Sequence, residues 1–225
     1  MPAVTAVGEL VRHGRRPVTV VTLRSSRRAS ARRRAPEIIE AAARVFAERG
    51  FHGATTQDIA DVLGIRQASL YYYFPSKEGA LELVCLQGVA GFYEVAKAIA
   101  AGPGSAADKL ARLIKAHLDP LTDRSDFVRV FLNERQHLPA ESRRRIGKWS
   151  RGLERVFEDV LKEGVRRGEL RSDLDTRLAV LGILGMANAV ANWYRSEEVP
   201  VSRISAEFAR LAVDGVLKRP KARRR

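Results

Sequence analysis

The stretch Thr55–Glu78, TTQDIADVLGIRQASLYYYFPSKE, restricts the fold of this chain more than any other segment. It reads as two short helices joined by a tight turn. Thr55 or Thr56 can cap the first, with Asp58 an acid in its first turn but not a full capping box. Ile59, Val62 and Leu63 read as its inward face. Gly64 ends it, where a left-handed backbone costs least without a Cβ, and Ile65 anchors the turn. Gln67–Phe74 reads as the next helix, with Leu70 and Phe74 one turn apart on its buried side. Pro75 breaks that helix and Ser76 caps its successor. Ala60 is small where the two helices must cross, Gly64 follows four residues on, and Leu70 completes the contact ten residues after Ala60. Helix, short turn and helix at this spacing match a helix-turn-helix. A preceding helix over 36–49 completes a three-helix unit. Pro36 suits its first position, Ile39, Ala42, Ala43 and Phe46 form its apolar stripe, and Gly50 stops it.

Turning Leu70 and Phe74 inward leaves a polar and aromatic face. Three consecutive tyrosines cannot all enter one core from a helix, so at least one is exposed. Gln67 can pair with an adenine edge, while Ala68 and the ring of Tyr71 can meet thymine methyls. Ser69 suits a base or phosphate contact, and the Tyr72 and Tyr73 hydroxyls can donate to phosphate. Thr56 and Gln57 stand where the DNA backbone would be gripped, and Lys77 adds charge beside a helix N-terminus. These nine residues are the expected contacts to double-stranded DNA.

The remainder reads as helices only. One runs from Lys77 to about Ala100, too long for a small domain, so it links two domains until Gly102-Pro103-Gly104 closes it. Further helices are expected at about 105–119, 124–135, 139–167, 173–193 and 201–217, punctuated by Pro120, Pro139 and Pro200. No strand alternation of useful length and no internal repeat appears in this body. The expectation is all-α: a basic, disordered extension over 1–35, a helix-turn-helix domain over 36–75, a helical ligand-binding and dimerisation domain over 76–217, and a basic tail over 218–225.

Charge supports that division. The formal net charge is +14. Residues 1–36 carry nine Arg against one Glu, and residues 218–225 carry six Lys or Arg with no acid, so these ends account for all of it. The body between is balanced, and DNA contact there must come from local patches. The basic ends also fit a second reading, a nonspecific architectural DNA binder. Cys85 is the only cysteine, so no intrachain disulfide forms. Its neighbours Leu83, Val84 and Leu86 suggest a buried thiol. No apolar run suits a signal peptide or a membrane span, which points to the cytoplasm and to no membrane partner. Catalysis and metal binding lack support. His13, His52, His117 and His137 are scattered without an HExxH pattern, and Cys85 has no second cysteine nearby. No cofactor is expected, and His117 and His137 read as ordinary polar or core histidines.

IIEAAARVFAERGFHGATTQDIADVLGIRQASLYYYFPSKEGALELV, residues 38–84, resembles the TetR family of transcriptional regulators. Leu70-Tyr71-Tyr72-Tyr73-Phe74 stands for the family's Leu-Tyr-x-His-Phe stretch, with Tyr73 in place of the common histidine, and Ser76-Lys77-Glu78 for its "SKE" helix opening. The resemblance implies an all-helical homodimeric repressor released by a small molecule. LDTRLAVLGILGMANAVANWYR, residues 174–195, resembles a subgroup that senses acyl-CoA thioesters.

Two jobs remain for the second domain. Ala179, Gly182, Gly185 and Ala189 would let another helix approach closely, with Ile204, Phe208, Leu211 and Val216 as a partner stripe, giving a four-helix interface between two copies. A pocket is expected from Met186, Asn188, Asn192 and Trp193, with Phe127, Phe131, Trp149 and Leu153 as walls. Arg145, in the run Arg143-Arg144-Arg145, would hold the phosphates of a coenzyme A thioester, unless that run is simply a solvated helix face. The helix from Lys77 would then act as the lever between the two sites.

Overall fold

The computed structural model describes residues 20–194 and 199–218, with side chains from Arg34 onward, Ala90 apart. Nine α-helices follow in order among the described residues: α1 Val20–Gly53, broken at the expected stop Gly50 (φ 65°, ψ 168°), α2 Thr56–Leu63, α3 Gln67–Leu70, α4 Lys77–Ala101, α5 Ala106–Leu118, α6 Ser125–Glu134, α7 Ala140–Arg166, α8 Thr176–Trp193 and α9 Val201–Val216. Single 3-10 turns follow α5 and α6. The strand-like pairing among the described residues is one isolated bridge, Leu170 to Leu217. From α4 onward the helices stand within a few residues of their predicted limits.

Three expectations change. The helix expected to open at Pro36 begins at Val20, so Pro36 lies inside a helical run although it has no N–H for the turn behind it. The Arg-, Ala- and Ser-rich residues before it form helix readily enough to tolerate one missing bond. The chain divides into two compact units at this point, between Ala35 and Pro36. The predicted disorder over 20–35 therefore gives way to helix, while 1–19 and 219–225 lie outside the described residues. Next, α3 is one turn, not the expected 67–74. The Tyr73 N–H bonds to the Leu70 carbonyl at 2.8 Å, tightening the chain ahead of Pro75, which disfavours helix at Phe74. Finally, Val62 is 45% exposed. Ile59 and Ala60 set the inward direction of α2, and Val62 lies about 200° around the helix from Ala60.

Two apolar cores organise the unit from Pro36 onward. The first joins Phe46 of α1 to Ile59 and Ala60 of α2, then Leu70, Phe74, and Leu81 and Val84 of α4; it also takes Phe127 and Val130 of α6 and Ile146 of α7. The second is built from α5, α7, α8 and α9 around Leu110, Ile114, Phe157, Leu161, Val190 and Ile204. The α4 helix enters both cores and packs on α5, α6 and α7. By length and apolar composition alone α4 is the one described helix able to cross a membrane. Cys85 on α4 is buried, and burial pushes its thiol up to about 12, so the thiolate needed for reactivity does not form at neutral pH.

Candidate DNA-reading surface and effector cavity

The reading surface is assembled by local signals. The Thr55 hydroxyl accepts from the Asp58 N–H at 3.1 Å, and the Asp58 carboxylate accepts from the Thr55 N–H at 2.8 Å. This is a complete capping box, with aspartate doing the work of the usual glutamate. The Thr55 hydrogen bonds, helped by Arg49, hold the Asp58 carboxyl below its ordinary value. Arg49 also pairs with Asp58 at 2.5 Å, tying the end of α1 to the start of α2. Gly64 closes α2 with φ 62° and ψ 33°, a left-handed conformation that turns the chain into α3.

Leu70 and Phe74 are 0% and 1% exposed, while Tyr71 and Tyr72 are 52% and 62% exposed. Ala68 and Ser69 are exposed beside them. Gln67 is half-buried and donates from Nε2 to the Thr56 hydroxyl at 2.6 Å, which joins α3 to the start of α2. Gln57 is exposed, its amide bonded to Asp61 at 2.6 Å. Tyr73 is half-buried and packs edge-on against the Tyr72 ring, 5.6 Å between centroids. Gln57, Ala68, Ser69, Tyr71 and Tyr72 are thus open to solvent, while Thr56, Gln67 and Tyr73 are half-buried, with Thr56 and Gln67 joined to each other. Lys77 has a structural task as well. Its ammonium donates to the carbonyls of Phe51 and Ala54 at 2.7 and 2.9 Å and lies 4.4 Å from the centre of the Phe51 ring. Two of its three protons are spent on bracing α4 against the α1–α2 connection, leaving one for another acceptor.

A cavity of about 300 Å³ lies between α4, α5, α6, α7 and α8. Four expected residues line it: Phe131, Trp149, Leu153 and Asn188. Five do not. Phe127 is buried in the first core, and its ring carries the Arg124 guanidinium. Arg145 sits on the outer side of α7, paired with Glu82 and Glu141. Burial opposes ionisation of Glu82, but Arg145 and Ser142 together hold its carboxyl below the usual range. Met186 lies on the other side of α8, two residues from Leu184 and so about 200° around the helix, in a groove with Leu211 and Gly215. Asn192 is exposed and accepts from Asn133 at 3.3 Å. Trp193 is 50% exposed beside Phe208.

The cavity also uses residues that one-dimensional reading missed: Phe92 and Tyr93 of α4, Leu132 and Arg135 near the end of α6, and Leu181 of α8. His117 is another; it was read as an ordinary histidine. Its Nε2 lies 2.8 Å from the Asn188 Oδ1, and burial pushes its basicity down, so the ring is neutral near neutral pH. His137 is elsewhere, stacked on Phe51 and against His52.

A second groove, about 350 Å³, adjoins the cavity, with Arg135, Ser150 and Glu154 in the walls of both. Arg143 and Arg151 line this groove. An apolar chamber thus stands beside an arginine-lined groove, with Arg135 common to both and its guanidinium 4.9 Å from the Phe131 ring centre.

The end of α6 touches the reading unit as well. Glu134 accepts the Phe51 N–H at 2.9 Å and adjoins Arg135, which lines the cavity. One helix therefore meets both sites.

Residues 38–84 match the family described as bacterial regulatory proteins, tetR family, and residues 103–216 match the tetracyclin repressor-like C-terminal domain. The chain belongs to the TetR family. This TetR-family chain is 30% identical over 188 residues to the HTH-type transcriptional repressor KstR2 of Rhodococcus jostii, covering 81% of this chain and 91% of that one. It is 28% identical over 182 residues to the fatty acid metabolism regulator protein of Bacillus subtilis, covering 80% and 94%. The ketosteroid transcriptional regulator KstR2 of Mycobacterium tuberculosis shares its fold with a TM-score of 0.78 at 26% identity, covering 83% and 96%. The regulator is thus a DNA-binding transcription factor of all-α helix-turn-helix architecture.

Proposed function

We propose that this regulator is a homodimeric repressor that holds a palindromic operator and releases it when an acyl-CoA thioester enters the cavity. The observation that carries the effector class is the apolar chamber joined to an arginine-lined groove through Arg135. A thioester of coenzyme A has matching parts, an apolar acyl group and a chain of phosphates suited to guanidinium groups. At about 300 Å³ the chamber lies at the small end of ligand pockets, which favours a short or medium-chain acyl group over a long one. The relatives' descriptions, a fatty acid regulator and a ketosteroid regulator, lean the same way. The anionic portion meets Arg143 and Arg151, not Arg145.

The operator is read by Gln67, Ala68, Ser69 and Tyr71, with Thr56, Gln57, Tyr72, Tyr73 and the free proton of Lys77 on phosphate. Two copies pair through α8 and α9. Leu178 and Leu211 are 64% and 56% exposed, and a Cβ on Gly182 or Gly215 would meet nothing within 4 Å in this chain, whereas Gly185, expected on the same face, lines the cavity. Ile204 and Val216, expected in that stripe, fill the chain's own core instead. Pairing places two reading units on adjacent major-groove faces, roughly 34–36 Å apart. The protein works in the cytoplasm beside its operator DNA.

Release follows from linkage. The thioester binds the arrangement with unsuitable spacing of the two reading units more tightly, and operator affinity falls by the same coupling energy. Both α4 and α6 carry the change, because each lines the cavity and packs in the reader's core. Selection of bound sites from random duplex DNA tests this reading. An inverted repeat, weakened by octanoyl-CoA and by Tyr71→Ala, is the expected result. Equal affinity for all duplexes, lost mainly on removing the basic ends, would replace it with an architectural binder.

A further inference from the structure

Resting on that effector reading, we propose that Asn188 donates a hydrogen bond to the carbonyl oxygen of the bound acyl group, and that His117 holds the Asn188 amide in the orientation this requires. Both residues line the cavity, and the His117 Nε2 stands 2.8 Å from the Asn188 Oδ1. The opposite ring nitrogen, Nδ1, is enclosed and has no partner. A neutral imidazole carries one proton. If Nδ1 held it, a buried N–H would be left without an acceptor, the costlier kind of orphan. The proton therefore sits on Nε2 and points at Asn188, and the amide cannot reverse without setting its own N–H against that donor. This fixes the Asn188 carbonyl toward His117 and its NH₂ group away from it.

That NH₂ group has no hydrogen-bond partner among the described residues, and its side chain is only partly buried within the cavity lining. Among the described residues the wall's other polar groups lean toward donation. The Arg135 guanidinium, 3.4 Å from the Ser150 hydroxyl, and the Trp149 indole offer only N–H groups; the Tyr93 and Ser150 hydroxyls can donate or accept; and the Glu154 carboxylate is held by Arg177 at 2.8 Å. A ligand entering here meets donors along an apolar wall, and a carbonyl oxygen is complementary to them. Burial keeps His117 neutral, so the pair acts through direction and not through charge. His117 is the positioning residue and Asn188 the contacting one.

The decisive probes are butyryl-, octanoyl- and dodecanoyl-CoA, each compared with the S-alkyl-CoA thioether in which a methylene replaces the carbonyl. Affinities are measured by calorimetry on the full-length protein, with thermal melting to establish that every variant is folded. The wild type is expected to prefer thioester over thioether by about tenfold, the effect of one buried neutral hydrogen bond. N188L should bind both members of a pair within about twofold of each other, and near-isosteric N188D, which presents an acceptor, should lose the preference too. H117F should lose most of it, because the amide is then free to reverse. H117Q, whose own amide can donate or accept and so permits both orientations, should keep only part of it. A role limited to packing would lower affinity for both ligands and leave their ratio unchanged. Equal wild-type affinity for thioester and thioether overturns the inference while leaving the acyl-CoA reading intact. Failure of every thioester and thioether to bind removes that reading and this inference with it.

Discussion

The reading unit and the sensor domain are both helical, but they are specified in different ways. In the reader, contacts form between residues close in sequence: Thr55 with Asp58, Gln67 with Thr56, Ala60 against the turn at Gly64. Its shape follows from caps, a left-handed glycine and a few apolar anchors. In the sensor the important partners are far apart, as with His117 and Asn188 or Arg177 and Glu154. Its cavity is a gap left where five helices fail to fill the space between them. A local code makes a rigid reader, while long-range packing makes a chamber whose contents can alter the spacing of what surrounds it.

Loss of Phe74 tests the first half of that contrast most severely. Phe74→Ala empties a fully buried position beside Leu70 and should cost about 3–5 kcal/mol of stability. Operator affinity should collapse while binding of octanoyl-CoA persists at temperatures where the sensor remains folded. Chemical denaturation and calorimetry read the two effects separately. Equal loss of both would mean that the two cores melt as one.

Glu134 tests the connection between the regions. Glu134→Ala leaves the Phe51 N–H without its acceptor and should destabilise by about 1–3 kcal/mol. Thioester affinity should change little, but the drop in operator affinity caused by thioester should shrink. Fluorescence anisotropy on labelled operator, with and without octanoyl-CoA, measures this. An undiminished drop would assign the coupling to α4 alone.

The smallest expected effect concerns pH. Burial holds the His117 basicity below its ordinary value of 6.5. Above that pH the residue is neutral whether folded or unfolded and contributes no pH dependence. As pH falls through it, the unfolded chain gains a proton that the folded protein resists, and stability declines. The folding free energy of H117F should therefore fall less steeply than that of the wild type below this pH. Parallel curves would exclude His117 as a source of the dependence.

Much of the reader was legible in the sequence. Leu70 and Phe74 point inward, and the face with Tyr71 stays open, because helical periodicity and a proline stop leave few alternatives. The sequence reading that Asp58 falls short of a full capping box is overturned, since aspartate is shorter than the usual partner and only the turn's geometry shows that it reaches. Lys77 carries a visible charge, yet its use as a brace depends on where the Phe51 and Ala54 carbonyls lie. In the sensor, Trp149, Leu153, Phe131 and Asn188 were found through their mixture of apolar area and polarity. Arg145, Met186, Asn192, Trp193 and Phe127 share that composition but stand on other faces.

The order of residues by itself determined the helices, most of their ends and the crossing that makes a helix-turn-helix. These depend on backbone preference and on interactions over a turn or two, which a linear sequence states directly. Only the tertiary structure decided which side of each long helix faces the chamber, that Arg135 joins it to a cationic groove, and that His117 meets Asn188. A helix offers several faces of comparable apolarity. The face that is buried is chosen by the simultaneous packing of all its neighbours.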